Sequence, residues 1–203
     1  MTSISKEVNQ LVNEVLFENQ KVIKMPDEFR LIGQGRSAAV FKWEGISTYA
    51  VKIFYPNFQH LAIQEEYVYN TLANNDYFPE LLLTGEGFLV LELLDGMTIY
   101  DCLVTGRAIT PEMVSEVDQA LEYARQKGLN PSDIHLRNII LTNEGEIKII
   151  DVVRFTQDKE CPHWQDLKKA YYTYYQKRYF PKKMQPLLVE LIIRLYRRKL
   201  LPI

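Results

Sequence analysis

The sequence predicts an α+β fold, and three observations carry the prediction. Apolar runs of strand length cluster in the first half, at Leu31-Ile32, Val40-Phe41, Tyr49–Phe54 and Gly87–Leu94. A long helical repeat with both its start and its stop marked occupies residues 110–128. Directly after it, Ile139-Ile140-Leu141 and Ile147-Lys148-Ile149-Ile150 flank the turn residues Asn143-Glu144-Gly145, the pattern of a hairpin. With 203 residues and 47% hydrophobic content, the chain can bury one substantial core or two small lobes.

Val8, Leu11, Val12, Val15 and Leu16 recur at helical spacing and predict an amphipathic helix that packs on the strands after it, with a partner-binding helix as the alternative. Gly33-Gln34-Gly35-Arg36-Ser37-Ala38 then predicts a tight turn between two strands. Taken alone it reads first as an ordinary hairpin turn, although small residues there would let backbone N–H groups approach an anion closely. Lys52 stands inside the strand-like run Tyr49-Ala50-Val51-Lys52-Ile53-Phe54, nineteen residues after Gly33. From Asn57 to Ala73, the residues Phe58, Leu61, Ala62, Val68, Tyr69 and Leu72 form one apolar helical stripe, with Glu65 at its centre and Glu66 to one side. The run from Gly87 to Gly96 predicts a buried strand followed by a turn. Thr110 as N-cap and Pro111 as first helical residue open the next helix, which continues through Met113, Val117, Ala120, Leu121 and Ala124 and stops at Gly128. A polar loop, Asn130-Pro131-Ser132-Asp133-Ile134-His135-Leu136-Arg137-Asn138, leads into the hairpin, which ends in Asp151.

The net charge of −2 gives no overall bias toward nucleic acid. From Gln176 to Ile203, however, eight Lys or Arg stand against the single acid Glu190, with Tyr171, Tyr172, Tyr174, Tyr175, Tyr179 and Phe180 ahead of and among them. The favoured expectation is that these aromatics pack the second half and the cations form its wet face; contact with RNA, an acidic partner or anionic lipid is the alternative. The stretch Leu187–Ile193 is interrupted and too short to span a bilayer, so no membrane insertion is expected. The first residues lack a basic region followed by an apolar run. Cys102 and Cys161 show no paired spacing, which suits a reducing cytoplasm and argues against a structural zinc site.

In order and spacing, Gly33-Gln34-Gly35, Lys52, Asp133, Asn138 and Asp151 resemble the protein kinase-like superfamily over about three-fifths of the chain. The likeness is to small, divergent bacterial and archaeal Ser/Thr kinase-like members. It implies one bilobal kinase-like domain over residues 1–203: an antiparallel-sheet N-lobe with its N-terminal helix (1–91), a hinge (92–96) and a minimal, mainly helical C-lobe (97–203). It further implies ATP and Mg²⁺ as cofactors, with Gly33, Gln34, Gly35, Ser37, Val40, Ala50, Lys52, Leu91, Glu92 and Leu94 around the nucleotide. Adenine would meet the Glu92 carbonyl and the Leu94 N–H, with the Leu91 side chain gating the space behind. Lys52 would orient the α- and β-phosphates, Asn138 and Asp151 would bind the metal, and Asp133 would take the hydrogen bond of the acceptor hydroxyl. His135 and Arg137 are candidates for steadying the transferred phosphate. Glu65 is the expected partner of Lys52, with Glu66 as alternative, because an ionised carboxylate aimed at a core needs a cation. Trp164 and Asp166 would anchor the final helices beneath the catalytic loop, whereas His60 and His163 show no arrangement that suggests a role.

Three positions depart from the family pattern: Ala38 replaces the third glycine, Pro131 replaces the histidine before the catalytic Asp, and Asp151-Val152-Val153 replaces Asp-Phe-Gly. Val152 or Phe155 would then fill the space of the missing ring. Only about fifty residues follow Asp151, so Arg154 to Pro162 is at most a stub of an activation segment. The expected function is ATP- and Mg-dependent transfer of the γ-phosphate to a Ser or Thr hydroxyl of a protein. The Asp133-x-His135-x-x-Asn138 form favours a small-molecule kinase as alternative, Val152-Val153 favours a nucleotide-binding pseudokinase scaffold, and the small size with a basic tail favours an RNA-associated atypical kinase or ATPase.

Overall fold

The N-terminal repeat folds into helix α1 (Ser3–Glu14) in the computed structural model, which describes residues 3–46, 48–159 and 161–200. The described residues are mixed α+β and divide into two units, Met1–Leu94 and Asp95–Ile203. In the first unit α1 buries Val8 and Leu11 in an apolar cluster with Phe29, Phe41, Trp43, Val51 and Tyr55. The helix ends before Leu16, contrary to the sequence expectation. Asn19 and Gln20 adopt positive φ of 48° and 60°, reversing the chain so that β1 (Leu16–Glu18) pairs with β2 (Lys21–Lys24), and Leu16 is left 48% exposed.

Five antiparallel strands follow: β3 (Phe29–Gln34), β4 (Ala38–Trp43), β5 (Tyr49–Phe54), β6 (Leu81–Gly85) and β7 (Phe88–Glu92), in the order β3-β4-β5-β7-β6. Central β5 is buried from Ala50 to Phe54, on both faces of the sheet, which is unusual company for a lysine. Helix α2 (His60–Leu72) begins later than Asn57, because Pro56–Phe58 forms a separate 3-10 turn. Its buried side is Ala62, Glu65, Val68, Tyr69 and Leu72, while Phe58 and Leu61 are only half-buried.

The second unit contains β8 (Gly96–Thr98), α3 (Ile99–Thr105), α4 (Pro111–Gln126), β9 (Ile139–Thr142), β10 (Ile147–Ile149), α5 (His163–Ala170) and α6 (Pro186–Arg197). The expected hairpin β9–β10 gains a third strand, β8, which the sequence reading left as turn and hinge. Gly96 makes that pairing possible: a Cβ there would lie 2.3 Å from the Leu141 carbonyl oxygen and 2.8 Å from Thr142 Cα. Both obstacles are backbone, so Gly96→Ala is expected to cost about 1–3 kcal/mol in urea unfolding, the range of an overpacked site.

Helix α4 starts and stops where its signals stand. The Thr110 hydroxyl accepts the Met113 N–H at 3.4 Å, and Gly128 takes φ 80°. Trp164 and Asp166 on α5 tie helices together: Trp164 Nε1 donates to Asp118 of α4 at 2.7 Å, and Tyr196 of α6 donates its hydroxyl to Asp166 at 2.6 Å. Burial, then the Asp166 carboxylate, raises the Tyr196 phenol well above its usual range and keeps that donor protonated. Tyr171 and Tyr175 are buried and bracket Ile109, its carbonyl accepting from Tyr171 and its N–H donating to Tyr175, whereas Tyr172, Tyr174 and Tyr179 are exposed. The aromatic cluster is therefore only partly a packing device. Among the described residues no helix is long and apolar enough to cross a membrane.

Candidate active site

The first unit supplies a buried cation and a glycine turn. Lys52 lies across β5 from Val40 on β4 and Leu89 on β7, and its Nζ sits 2.8 Å from Glu65 Oε1 and 2.6 Å from Oε2. The two side chains are 8% and 0% exposed. Glu66, the alternative partner, is half-buried and accepts the Thr84 hydroxyl at 3.0 Å. The stripe on α2 thus selects the residue that the structure pairs with Lys52. Around the turn, Gly35 N–H closes onto the Ala38 carbonyl at 2.9 Å, and Tyr55 holds the loop by donating its hydroxyl to Gly35 O and its N–H to Ser37 O. A Cβ on Gly33 or Gly35 would meet only ordinary contacts, 3.7 Å to Val40 and 3.6 Å to Ala38 O, so the turn by itself does not demand glycine. Ala50 and Leu91 are buried, Gly33, Ser37 and Val40 half-buried, and Gln34 exposed. The end of β7 is pinned by Glu92 N–H on the Glu80 carbonyl and Leu93 N–H on the Thr48 carbonyl.

In the second unit the polar loop before β9 is organised by Asn138, which is 5% exposed. Its amide nitrogen donates to the Asp133 carbonyl at 3.1 Å, its N–H to the His135 carbonyl at 2.9 Å, and its own carbonyl accepts from Ile150 beside Asp151. One residue thus ties the loop together, through its side chain at Asp133 and through its backbone at His135 and Ile150. Asp151 adopts left-handed backbone angles (φ 58°, ψ 58°) and leads into a 3-10 turn, Val152–Thr156, that buries Val152, Val153 and Phe155. The valines that replace the family's Phe-Gly therefore sit in the core, with Phe155 at 0% exposure beside them.

Asp133 also has a left-handed φ of 62°. Its carboxylate has partners within the unit: Oδ2 lies 3.1 Å from Arg154 Nε and Oδ1 lies 3.5 Å from His163 Nδ1. Its N–H points at Cys161 Sγ, 3.4 Å away. His163, read from sequence as structural, therefore stands in the shell of the predicted catalytic residue. Arg137, the other candidate for the transferred phosphate, stacks on the Tyr100 ring at 3.9 Å and forms an ion pair with Glu190. His135 Nδ1 accepts the Arg137 N–H at 3.3 Å, which leaves the proton of a neutral ring on Nε2. Burial pushes its pKa below the usual histidine value against the opposing pull of Asp133 and Asp151, so neutral His135 is the form at pH 7.

Among the described residues no three His, Cys, Asp or Glu side chains gather as a metal cage. The donors that the resemblance names are the Asp151 carboxylate and Asn138 Oδ1, the side-chain oxygen of the amide whose nitrogen bonds to Asp133. Two hard oxygens suit Mg²⁺, which keeps several waters and takes further ligands from substrate phosphates. The second unit also contains an apolar cavity of about 380 Å³, lined by Leu136, Ile139, Trp164, Tyr171 and Val189 among others. The polar groups of Trp164 and Tyr171 there are hydrogen-bonded within the unit, and the lining cation Lys168 is ion-paired with Asp118.

No family model matches the chain. Over 179 residues, 88% of this chain and 83% of the relative, it is 46% identical to the protein of Bacillus subtilis (strain 168) named "Putative serine/threonine-protein kinase YrzF". It is 34% identical over 88 residues to "Probable serine/threonine-protein kinase SCO3848" of Streptomyces coelicolor, covering 41% of this chain and 12% of that one. To mitogen-activated protein kinase kinase 10 of Arabidopsis thaliana it is 24% identical over 135 residues, 62% of this chain and 44% of the relative. The chain belongs to the protein kinase-like superfamily.

Proposed function

We propose that the chain is a cytoplasmic, ATP- and Mg²⁺-dependent Ser/Thr protein kinase of bilobal kinase-like fold, with residues 1–91 as N-lobe, 92–96 as hinge and 97–203 as a minimal C-lobe. The observation that carries this reading is the Lys52–Glu65 pair at 8% and 0% exposure. A buried ion pair is a poor way to stabilise a sheet, since apolar residues of similar volume do as well or better. Its presence on central β5 is explained by a need for a fixed cation, and phosphate oxygens are the ligand such a cation suits.

In this reading Lys52, oriented by Glu65, holds the α- and β-phosphates, and the Gly33–Gly35 turn admits them closely because no Cβ stands in the way. Asn138 and Asp151 hold the metal, and bound Mg-ATP supplies the transferable phosphoryl group. Asp133 receives the acceptor hydroxyl, while neutral His135 can donate a hydrogen bond from Nε2. A second reading, a nucleotide-binding pseudokinase, is favoured by the Arg154 and His163 contacts on Asp133 and by Val152-Val153.

Nucleotide binding is tested by melting. At a hundredfold excess of Mg-ATP over its Kd, the native state gains about 2.7 kcal/mol, roughly 5–10 °C for a chain of this size. Lys52→Ala and Asp151→Ala should lose most of that shift. Variants that bind as well as wild type would place the nucleotide elsewhere.

A further inference from the structure

We infer that α6 and the cationic chain around it form a docking surface for an anionic lipid bilayer, with the helix lying in the plane of the interface. Val189 of α6 is packed at 2% exposure, yet Leu187, Leu188 and Leu191 on another side of the same helix are 81%, 45% and 52% exposed. The spacing i, i+1, i+4 makes them one stripe, and Leu195 extends it by a further turn. Arg194 and Arg198 fall along one edge of that stripe, and both are exposed. This is an apolar strip with guanidinium groups at its margin, the arrangement of an interfacial helix.

Charge in the chain is strongly segregated. Residues 1–175 carry sixteen Lys or Arg against twenty-five Asp or Glu, whereas residues 176–203 carry eight against one. That one acid, Glu190, is ion-paired with Arg137. Asp166 meets α6 at the Tyr196 hydroxyl, yet the segment that carries the leucines remains strongly cationic, and its complement is an anionic plane. A second copy of the chain would bring like charge against like charge. RNA would satisfy the cations but would leave a stripe of leucines with nothing to stack on or bond to, while the acyl boundary of a bilayer takes up those leucines directly. At twelve residues α6 is too short to span, so it lies flat.

The surface does not depend on the nucleotide reading and is tested separately, by sedimenting the full chain with vesicles of phosphatidylcholine alone or mixed with phosphatidylglycerol. The expected result is binding to the mixed vesicles only, weakened by added salt. Leu187→Glu/Leu191→Glu and, separately, Arg194→Glu/Arg198→Glu should each lower the partition coefficient about tenfold or more. Both pairs are solvent-facing, so melting temperature and its Mg-ATP shift should stay at wild-type values. Four outcomes overturn the inference: no vesicle binding, equal binding to neutral vesicles, binding indifferent to the variants, or leucine-dependent self-association or single-stranded RNA binding in place of vesicle binding.

Discussion

Replacing Glu65 alone with leucine is expected to destabilise the protein by about 3–5 kcal/mol, because it breaks a buried ion pair from one side and takes from Lys52 the carboxylate that closes on it. Lys52 Nζ has both Glu65 oxygens within 2.8 Å, and the pair has almost no solvent to fall back on. Removing both charges should be far milder. Lys52→Met/Glu65→Leu is predicted to recover most of the loss, with a coupling energy of several kcal/mol in a double-mutant cycle read by urea unfolding. Glu66→Leu is the control: that side chain is half-buried, and its contact to Thr84 is a single hydrogen bond worth about 1 kcal/mol. Glu65→Gln, which nearly preserves shape, separates fold from function, since it should weaken the Mg-ATP melting shift more than Glu66→Gln does. Equal losses at the two positions would mean that the pair does not hold Lys52 in the way its geometry indicates.

What the sequence disclosed and what it hid divide along one physical line. Glu65 was legible because a helix repeats, so the apolar stripe of α2 names its own centre. Asp133 and Asn138 were picked out by the resemblance, and because they stand only five residues apart in one loop the amide of Asn138 can close on the Asp133 carbonyl. The limits of α4 follow from Thr110, Pro111 and Gly128, whose local chemistry acts within one turn. The shell of Asp133 has no such signature. Arg154, Cys161 and His163 reach it from a 3-10 turn, a loop and the start of α5, and no periodicity in the chain relates them to residue 133. The contact of Arg137 with Glu190 had no sequence signal for the same reason, since the two lie 53 residues apart. Strand β8 escaped notice because three residues are too few to show alternation, and its sign was the steric one at Gly96.

Asp133→Asn is expected to lower phosphotransfer by a factor of roughly 10² to 10⁴, the usual loss when an orienting or basic group is removed. The contacts found around Asp133 make a second variant necessary, because the substitution also loosens the ion pair with Arg154 and the contact with His163. Those partners are 34% and 38% exposed and Asp133 is 30% exposed, so the structural part of the loss is at most about 1 kcal/mol. Fold and Mg-ATP melting shift should therefore survive in Asp133→Asn. Arg154→Gln breaks the same ion pair but keeps the carboxylate, and is predicted to retain at least about a tenth of wild-type rate, because no orienting or basic group is lost. If both variants fell equally, the ion pair and not the acceptor-binding carboxylate would be what activity needs. If wild-type protein bound Mg-ATP yet labelled neither itself nor any protein above the Asp133→Asn background, Arg154 and His163 would be permanent partners of a carboxylate with no acceptor to receive, and the nucleotide would serve a scaffold.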